Sequence, residues 1–286
     1  MPRSRLAAFV LVAFGAVVVT APACRSDDGA KSGTTVVAGF ARLAELASVV
    51  GGPRVHVRDL TPPGAEPHDL ELSSDDVDAV DGSDLVLYLG SGFQPALAEV
   101  ARRGKRAVDL LEPGETDPHI WLDPPRFARA ADQVASALAS VDPAGRTGYL
   151  ERAAAFRREL EQLDARFREG LSSCQRRVIV TSHAAFGRLA NRYGLRQEAI
   201  TGLSPESEPS PARLAELAEL VRRENVTHVF TERLVSRKVA AALAREAGVE
   251  VAVLDPLEGR LEDGYVAAME ANLATLRRVL GCGAGR

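Results

Sequence analysis

Three of the five histidines in this chain stand where the backbone turns, and their setting suits metal ligation. His68 ends the run Thr61-Pro-Pro-Gly-Ala-Glu-Pro-His68, His119 lies in Thr116-Asp-Pro-His-Ile-Trp-Leu-Asp-Pro124, and His183 lies in Val180-Thr-Ser-His-Ala-Ala-Phe186. Pro62, Pro63, Gly64 and Pro67 fix the backbone before His68 and remove donors, so that segment reads as a stiff loop rather than helix or ladder strand, and the other two histidines sit at comparable junctions. Imidazoles carried on loops at the ends of rigid elements are a common way to assemble a metal site.

The elements that must position them follow from hydrophobic periodicity. Thr34–Phe40, Arg54–Arg58, Asp84–Leu89 and Arg106–Leu110 read as strands, with helical patterns between them. The same alternation returns after residue 176, with strands at Arg177–Thr181, Gln197–Thr201, Thr227–Thr231 and Glu250–Leu254. Strand–helix alternation predicts parallel sheets flanked by helices. Between the two series, Pro143 to Ser172 is charged, free of internal proline and striped by Leu150, Ala154, Phe156, Leu160, Leu163 and Phe167. Roughly thirty helical residues span about 45 Å at 1.5 Å each, which suits a connector between two lobes. The expected organisation is a signal peptide at 1–23, a lipidated tether at 24–33, an N-terminal lobe at 34–142, a connecting helix at 143–173 and a C-terminal lobe at 174–286.

In open α/β sheets, ligands bind beyond the carboxyl ends of strands. His68 and His119 follow strands of the first lobe, and His183 and Asp255 follow strands of the second. Four donors, two from each lobe, would close on one ion in the interlobe cleft. A set of three histidines and one aspartate suits tetrahedral Zn²⁺, and Mn²⁺, which draws more oxygen ligands, is the less favoured ion. Spacing alone leaves scattered structural histidines as an open alternative, since no HExxH or CxxC compacts the site.

Arg3 and Arg5, the apolar run Leu6–Val19 and the small residues before Cys24 read as a secretory signal. Cys24 after Ala-Pro-Ala resembles a bacterial lipobox, with alanine at the third position before it where leucine is usual. Export makes Cys174 and Cys282 a disulfide candidate, with two buried thiols as the alternative. A net charge of −4 gives no basic footprint, so nucleic acid is excluded as a partner. No GxGxxG or Walker loop follows any strand, so nucleotide binding lacks support.

Several ordered blocks carry a resemblance. Pro62–Asp69, Asp117–Pro124, Thr181–Gly187, Gly202–Pro211, Phe230-Thr-Glu-Arg-Leu-Val-Ser236 and Leu254–Leu257 resemble signature blocks of the zinc/manganese solute-binding proteins of bacterial metal ABC importers. The resemblance runs from about Thr34 to Cys282. It implies two α/β lobes joined by one rigid helix, small lobe movements, and an ion held by His68, His119, His183 and Asp255. Glu66 competes with Asp255 as the carboxylate. His183, where manganese members carry glutamate, resembles the zinc branch. The short stretch Leu110–Asp117 has none of the histidines of the accessory loop found in many zinc members. The implied protein is a monomeric lipoprotein outside the cytoplasm, anchored through Cys24 or periplasmic, that passes zinc to a membrane permease and is not an enzyme.

Two other functions compete. A secreted zinc hydrolase would need an open coordination position and a general base, for which Glu66 is the candidate if Asp255 is not a ligand. A surface adhesin would hold its metal incidentally. Asp117 and Asp69 are candidates for orienting the imidazoles, Trp121 and Phe186 for an apolar surround, and Glu208 and Glu232 for hydrogen-bond partners. His56 and His228 lie within strand patterns and read as packed or surface residues.

Overall fold

The computed structural model describes Met1 and residues 33–104 and 106–283. The signal peptide beyond Met1, the tether up to residue 32 and Cys24 lie outside the described residues.

The first lobe is built from β1 (Thr34–Ala38), α1 (Ala41–Gly51), β2 (Val55–Asp59), α2 (Ser74–Asp81), β3 (Leu85–Tyr88), α3 (Pro95–Arg103), β4 (Ala107–Asp109) and α4 (Pro124–Val141). Its sheet runs β2-β1-β3-β4, with every pair parallel and Thr34 opposite Val55. After α5 (Arg146–Leu171), the second lobe is built from β5 (Val178–Thr181), α6 (Gly187–Arg192), β6 (Arg196–Ala199), α7 (Pro211–Arg223), β7 (His228–Thr231), α8 (Lys238–Ala247), β8 (Glu250–Val253) and α9 (Gly264–Leu280). Its sheet runs β6-β5-β7-β8, again all parallel, so the two lobes repeat one topology.

Local chemistry sets the helix starts. In a capping box before α2, the Ser73 hydroxyl accepts the Asp76 amide and the Asp76 carboxylate accepts the Ser73 amide. Asp123 accepts from the Arg126 amide ahead of Pro124, and Ser210 accepts from the Arg213 amide ahead of Pro211. Each sheet is covered on both faces, as parallel sheets require. Val37, Leu60, Val86 and Leu97 pack on the outer face of the first sheet, and Val180, Leu217, Val229 and Leu243 on that of the second. The inner faces share one continuous core that includes Leu43, Trp121, Phe127, Leu163, Phe186, Phe230, Leu257 and Leu276.

Helix α5 is the spine of that core. Its 26 residues span about 39 Å at 1.5 Å each. Residues 143–145 form a separate 3₁₀ turn, so the helix starts later than the pattern predicts. The buried stripe is Tyr149, Ala153, Phe156, Leu160, Leu163, Phe167 and Leu171, spaced by threes and fours. Leu150, expected in the stripe, is exposed because the face turned to α4 begins at Tyr149. Helices α1 and α4 of the first lobe and α9 of the second all pack on α5.

Cys174 and Cys282 are joined by a disulfide that ties the segment after α5 to the end of α9 across 108 residues. Closing so long a loop restricts the unfolded chain. The double variant C174S/C282S is expected to lose about 2–4 kcal/mol of unfolding free energy in urea, without change in secondary structure by circular dichroism.

Candidate metal centre

Every histidine candidate sits beyond the carboxyl end of a strand. The β2 loop bends through a 3₁₀ turn at Pro67–Asp69 and delivers His68. The β4 loop delivers His119 immediately before a second 3₁₀ turn, Ile120–Leu122. His183 lies two residues past β5, and the β8 loop delivers a carboxylate. That carboxylate is Glu258. The imidazoles of His68, His119 and His183 and the Glu258 carboxylate each offer one donor atom, and these lie within 4.8 Å of one another.

Glu258 Oε1 lies 3.4 Å from His68 Nε2, 3.3 Å from His119 Nε2 and 3.5 Å from His183 Nε2. The Nε2 atoms of His119 and His183 are 3.4 Å apart. A tetrahedral zinc with bonds of about 2.0–2.1 Å has donor–donor edges of about 3.3–3.4 Å. Four of the six edges therefore already match.

Hydrogen bonds on the far sides of the rings orient the donors. His119 Nδ1 donates to Asp117 Oδ1 at 2.8 Å, and His183 Nδ1 donates to Glu232 Oε2 at 2.6 Å. With Nδ1 protonated, Nε2 of each neutral ring presents a lone pair to the centre. The same carboxylates also accept the backbone amides of His119 and His183, at 3.0 and 3.1 Å. Asp117 is secured across the lobes, because Arg188 of α6 donates through Nε to its carbonyl at 3.0 Å and through Nη1 to Glu115 at 3.0 Å. Burial would raise the Glu115 carboxyl, but Arg126 and then Arg188 outweigh it and hold it at about 2.

The centre is dry. His119 and His183 are fully buried, and Glu258 is 1% exposed. Both Glu258 oxygens and His68 Nε2 lack a hydrogen-bond partner among the described residues. A buried carboxylate is stable only when its charge is compensated. Burial alone would raise the Glu258 carboxyl, yet the surrounding imidazoles hold it well below the usual range. Burial would lower His183, but Glu232 and Glu258 outweigh it and push it up to about 10. His119 moves upward for the same reason, through Asp117 and Glu258, whereas for His68 burial prevails and the shift is downward. Two lone pairs, the unpartnered Nε2 of His68 and a buried carboxylate converging on one point fit a divalent cation of borderline softness.

The other sequence candidates fall nearby. Asp255 does not join the cluster. Its Oδ1 accepts the Leu257 amide at 2.8 Å and its Oδ2 pairs with Arg233 at 2.9 Å, so both oxygens turn away into an Asx turn and a surface ion pair. Glu66 accepts the His68 amide at 3.4 Å and lies outside the four-residue set. Burial and the Glu258 charge push Glu66 up to about 8. Trp121 lines the centre, its ring 5.2 Å from that of His119. Asp69 makes no hydrogen bond to the His68 ring among the described residues. Glu258 was missed because it lies three residues beyond Asp255, among Glu262 and Asp263, where nothing local distinguishes one acid from another. Its chemical setting is that of the expected fourth ligand.

The comparisons with known proteins agree with one another. The family described as "Zinc-uptake complex component A periplasmic" (ZnuA) matches residues 36–279. The "Zinc-binding lipoprotein AdcA" of Streptococcus pneumoniae R6 is 33% identical over 288 residues, covering 90% of this chain and 58% of that protein. The chain thus spans little more than half the length of that relative. The laminin-binding protein Lmb of Streptococcus agalactiae, described as a bifunctional protein with adhesin and metal-transporting activity, superposes with a TM-score of 0.81 at 33% identity, over 87% of this chain and 99% of Lmb. The Zn(II)-bound ZnuA-like domain of Streptococcus pneumoniae AdcA superposes with a TM-score of 0.75 at 33% identity, over 87% and 99% of the two chains.

Loss of a partner behind a ligating imidazole commonly reduces metal affinity 10–100-fold. Asp117→Asn and Glu232→Gln are each expected to weaken divalent-metal binding by about that factor in chelator competition. Asp69→Asn is expected to leave it unchanged.

Proposed function

Since the chain belongs to the ZnuA family of periplasmic zinc-uptake components, we propose that it captures Zn²⁺ outside the cytoplasm and delivers it to the permease of an ABC importer. The observation that carries this reading is the buried His68–His119–His183–Glu258 cluster, whose contacts match the edges of a zinc tetrahedron. These four residues are the ligands, with Glu258 in the role that Asp255 was expected to fill. Asp117 and Glu232 fix the imidazoles, and Trp121 and Phe93 keep water from the apolar side.

The zinc is cargo rather than a catalytic cofactor. Catalytic zinc sites keep one coordination position open for water beside a general base. Four protein donors in a buried cleft fill the tetrahedron, so a binding protein is favoured over a hydrolase. No helix among the described residues is long and apolar enough to cross a membrane. Attachment through a lipid on Cys24, with residues 24–33 as tether, completes the reading, and the protein acts as a monomer. The Lmb likeness leaves adhesion as a second activity of that relative. Deletion of the gene separates the two, since a transport component is required for growth under zinc depletion and an adhesin is not.

The ligand assignment is tested by titration. Glu258→Ala is expected to weaken zinc binding by at least about 100-fold, since one of four donors is removed. Asp255→Ala is expected to change it little. A normal zinc affinity in Glu258→Ala, or its loss in Asp255→Ala, overturns the assignment.

Proton competition sets the pH dependence. The metal-free His119 and His183 hold protons more tightly than free imidazoles, and zinc must displace them. Affinity therefore falls with acid and rises with pH. With one to two protons released, the zinc dissociation constant is expected to fall on the order of 10–100-fold per pH unit between pH 5 and pH 7, read by competition with a chelator.

A further inference from the structure

Glu258 hangs on an irregular segment between β8 and α9. Neither of its oxygens has a hydrogen-bond partner among the described residues, so the backbone on each side fixes where the carboxylate points. On the upstream side, Asn272 and the Asp255 backbone exchange hydrogen bonds at 3.0 and 2.6 Å, and Trp121 Nε1 donates to the Pro256 carbonyl at 2.6 Å. Leu257 takes a positive φ of 62°, a conformation disfavoured for a branched side chain, and turns the chain toward the histidines.

The downstream side is held differently. Arg42, on the first turn of α1 in the other lobe, donates from Nη2 to the Gly259 carbonyl at 3.1 Å across 217 residues of sequence. The same guanidinium pairs through Nη1 with Glu45, one turn along α1. Glu45 Oε1 in turn accepts the Tyr265 amide at 2.9 Å, at the start of α9. One pair on one helix thus grips both ends of the loop that follows Glu258. Two cavities of about 410 and 400 Å³ flank that loop, and both are lined by Arg260, Leu261, Glu262 and Gly264. Within the loop Arg260 approaches Asp59 only at 4.0 Å, and beyond it the Tyr265 hydroxyl donates to the Trp121 carbonyl at 2.6 Å. Arg42 is 2% exposed, and burial lowers its guanidinium to about 10. Burying an arginine is unfavourable unless its contacts are used.

We propose that Arg42, braced by Glu45, is a positioning residue for the metal centre, holding the Gly259 carbonyl so that the Glu258 carboxylate meets the three histidines. The inference rests on the reading of Glu258 as a ligand. It makes the first lobe contribute to the site in two ways, through His68 and His119 as ligands and through Arg42 as the clamp on the second lobe's carboxylate.

The test uses Arg42→Met, which keeps the buried volume and removes the donors, together with Arg42→Lys, Glu45→Gln and Glu258→Gln in the intact protein. Zinc affinity is read by chelator competition, and coordination by the visible spectrum of bound Co²⁺. Arg42→Met is expected to weaken zinc roughly 10–100-fold, to move the Co²⁺ spectrum toward that of Glu258→Gln, and to be partly rescued by lysine. Glu45→Gln is expected to shift both readouts in the same direction by less. Arg42→Met should add no further loss in the Glu258→Gln background, because the clamp acts through that carboxylate. Unchanged affinity and spectrum in Arg42→Met, or full additivity with Glu258→Gln, overturns the clamp and leaves the ligand set standing. Wild-type affinity and spectrum in Glu258→Gln overturns the ligand reading itself, and the clamp with it.

Discussion

The structure depends on an electrostatic conflict at its centre. Two imidazole nitrogens, each made a lone-pair donor by a carboxylate behind it, face one another at 3.4 Å beside a buried glutamate. In a buried pocket this arrangement is stable only with positive charge among the donors, supplied by protons or by a metal. The carboxylates of Asp117 and Glu232 sharpen the conflict, since they prevent the rings from reversing their tautomers. The donor set selects the class of ion, and the hydrogen bonds behind it select the geometry.

That geometry is maintained by packing. The inner faces of both sheets, α4, α5 and α9 share one core, so the distances between donors of different lobes are set by close-packed side chains. Ion pairs reinforce it across the lobes. Arg188 carries the His119 loop, and Arg192 of α6 bonds Asp164 of α5 at 2.6 Å and approaches Asp123, the N-cap of α4, at 3.5 Å. Close packing and ion pairing of this kind oppose hinge opening of the cleft.

Much of this was legible in the sequence. The alternation of β-branched runs with helical stripes specified two parallel-sheet lobes, because those periods are local. The histidine loops announced themselves through Pro67, Pro118 and the strands before them. What was hidden depends on long-range contact. Leu150 and Tyr149 are adjacent and both fit a helical stripe, and only the face of α4 decides between them. Asp255 and Glu258 are separated by three residues, and the choice rests on the Leu257 backbone, the Trp121 donor and Arg42, none of which is encoded nearby. Glu232 could be singled out as a polar partner, but its bond to His183 is made across two strands.

The position of α9 has a bearing on how the chain acquires its structure. Its Tyr265 hydroxyl donates to the carbonyl of Trp121 at 2.6 Å, and its side chain packs on Phe127, more than a hundred residues earlier. One wall of the first lobe's core is thus supplied by α9, from the other half of the sequence. Contacts so distant in sequence carry a loop-closure cost that slows folding. A chain that stops short of α9 would hold all three histidines without the Tyr265 contacts to Trp121 and Phe127.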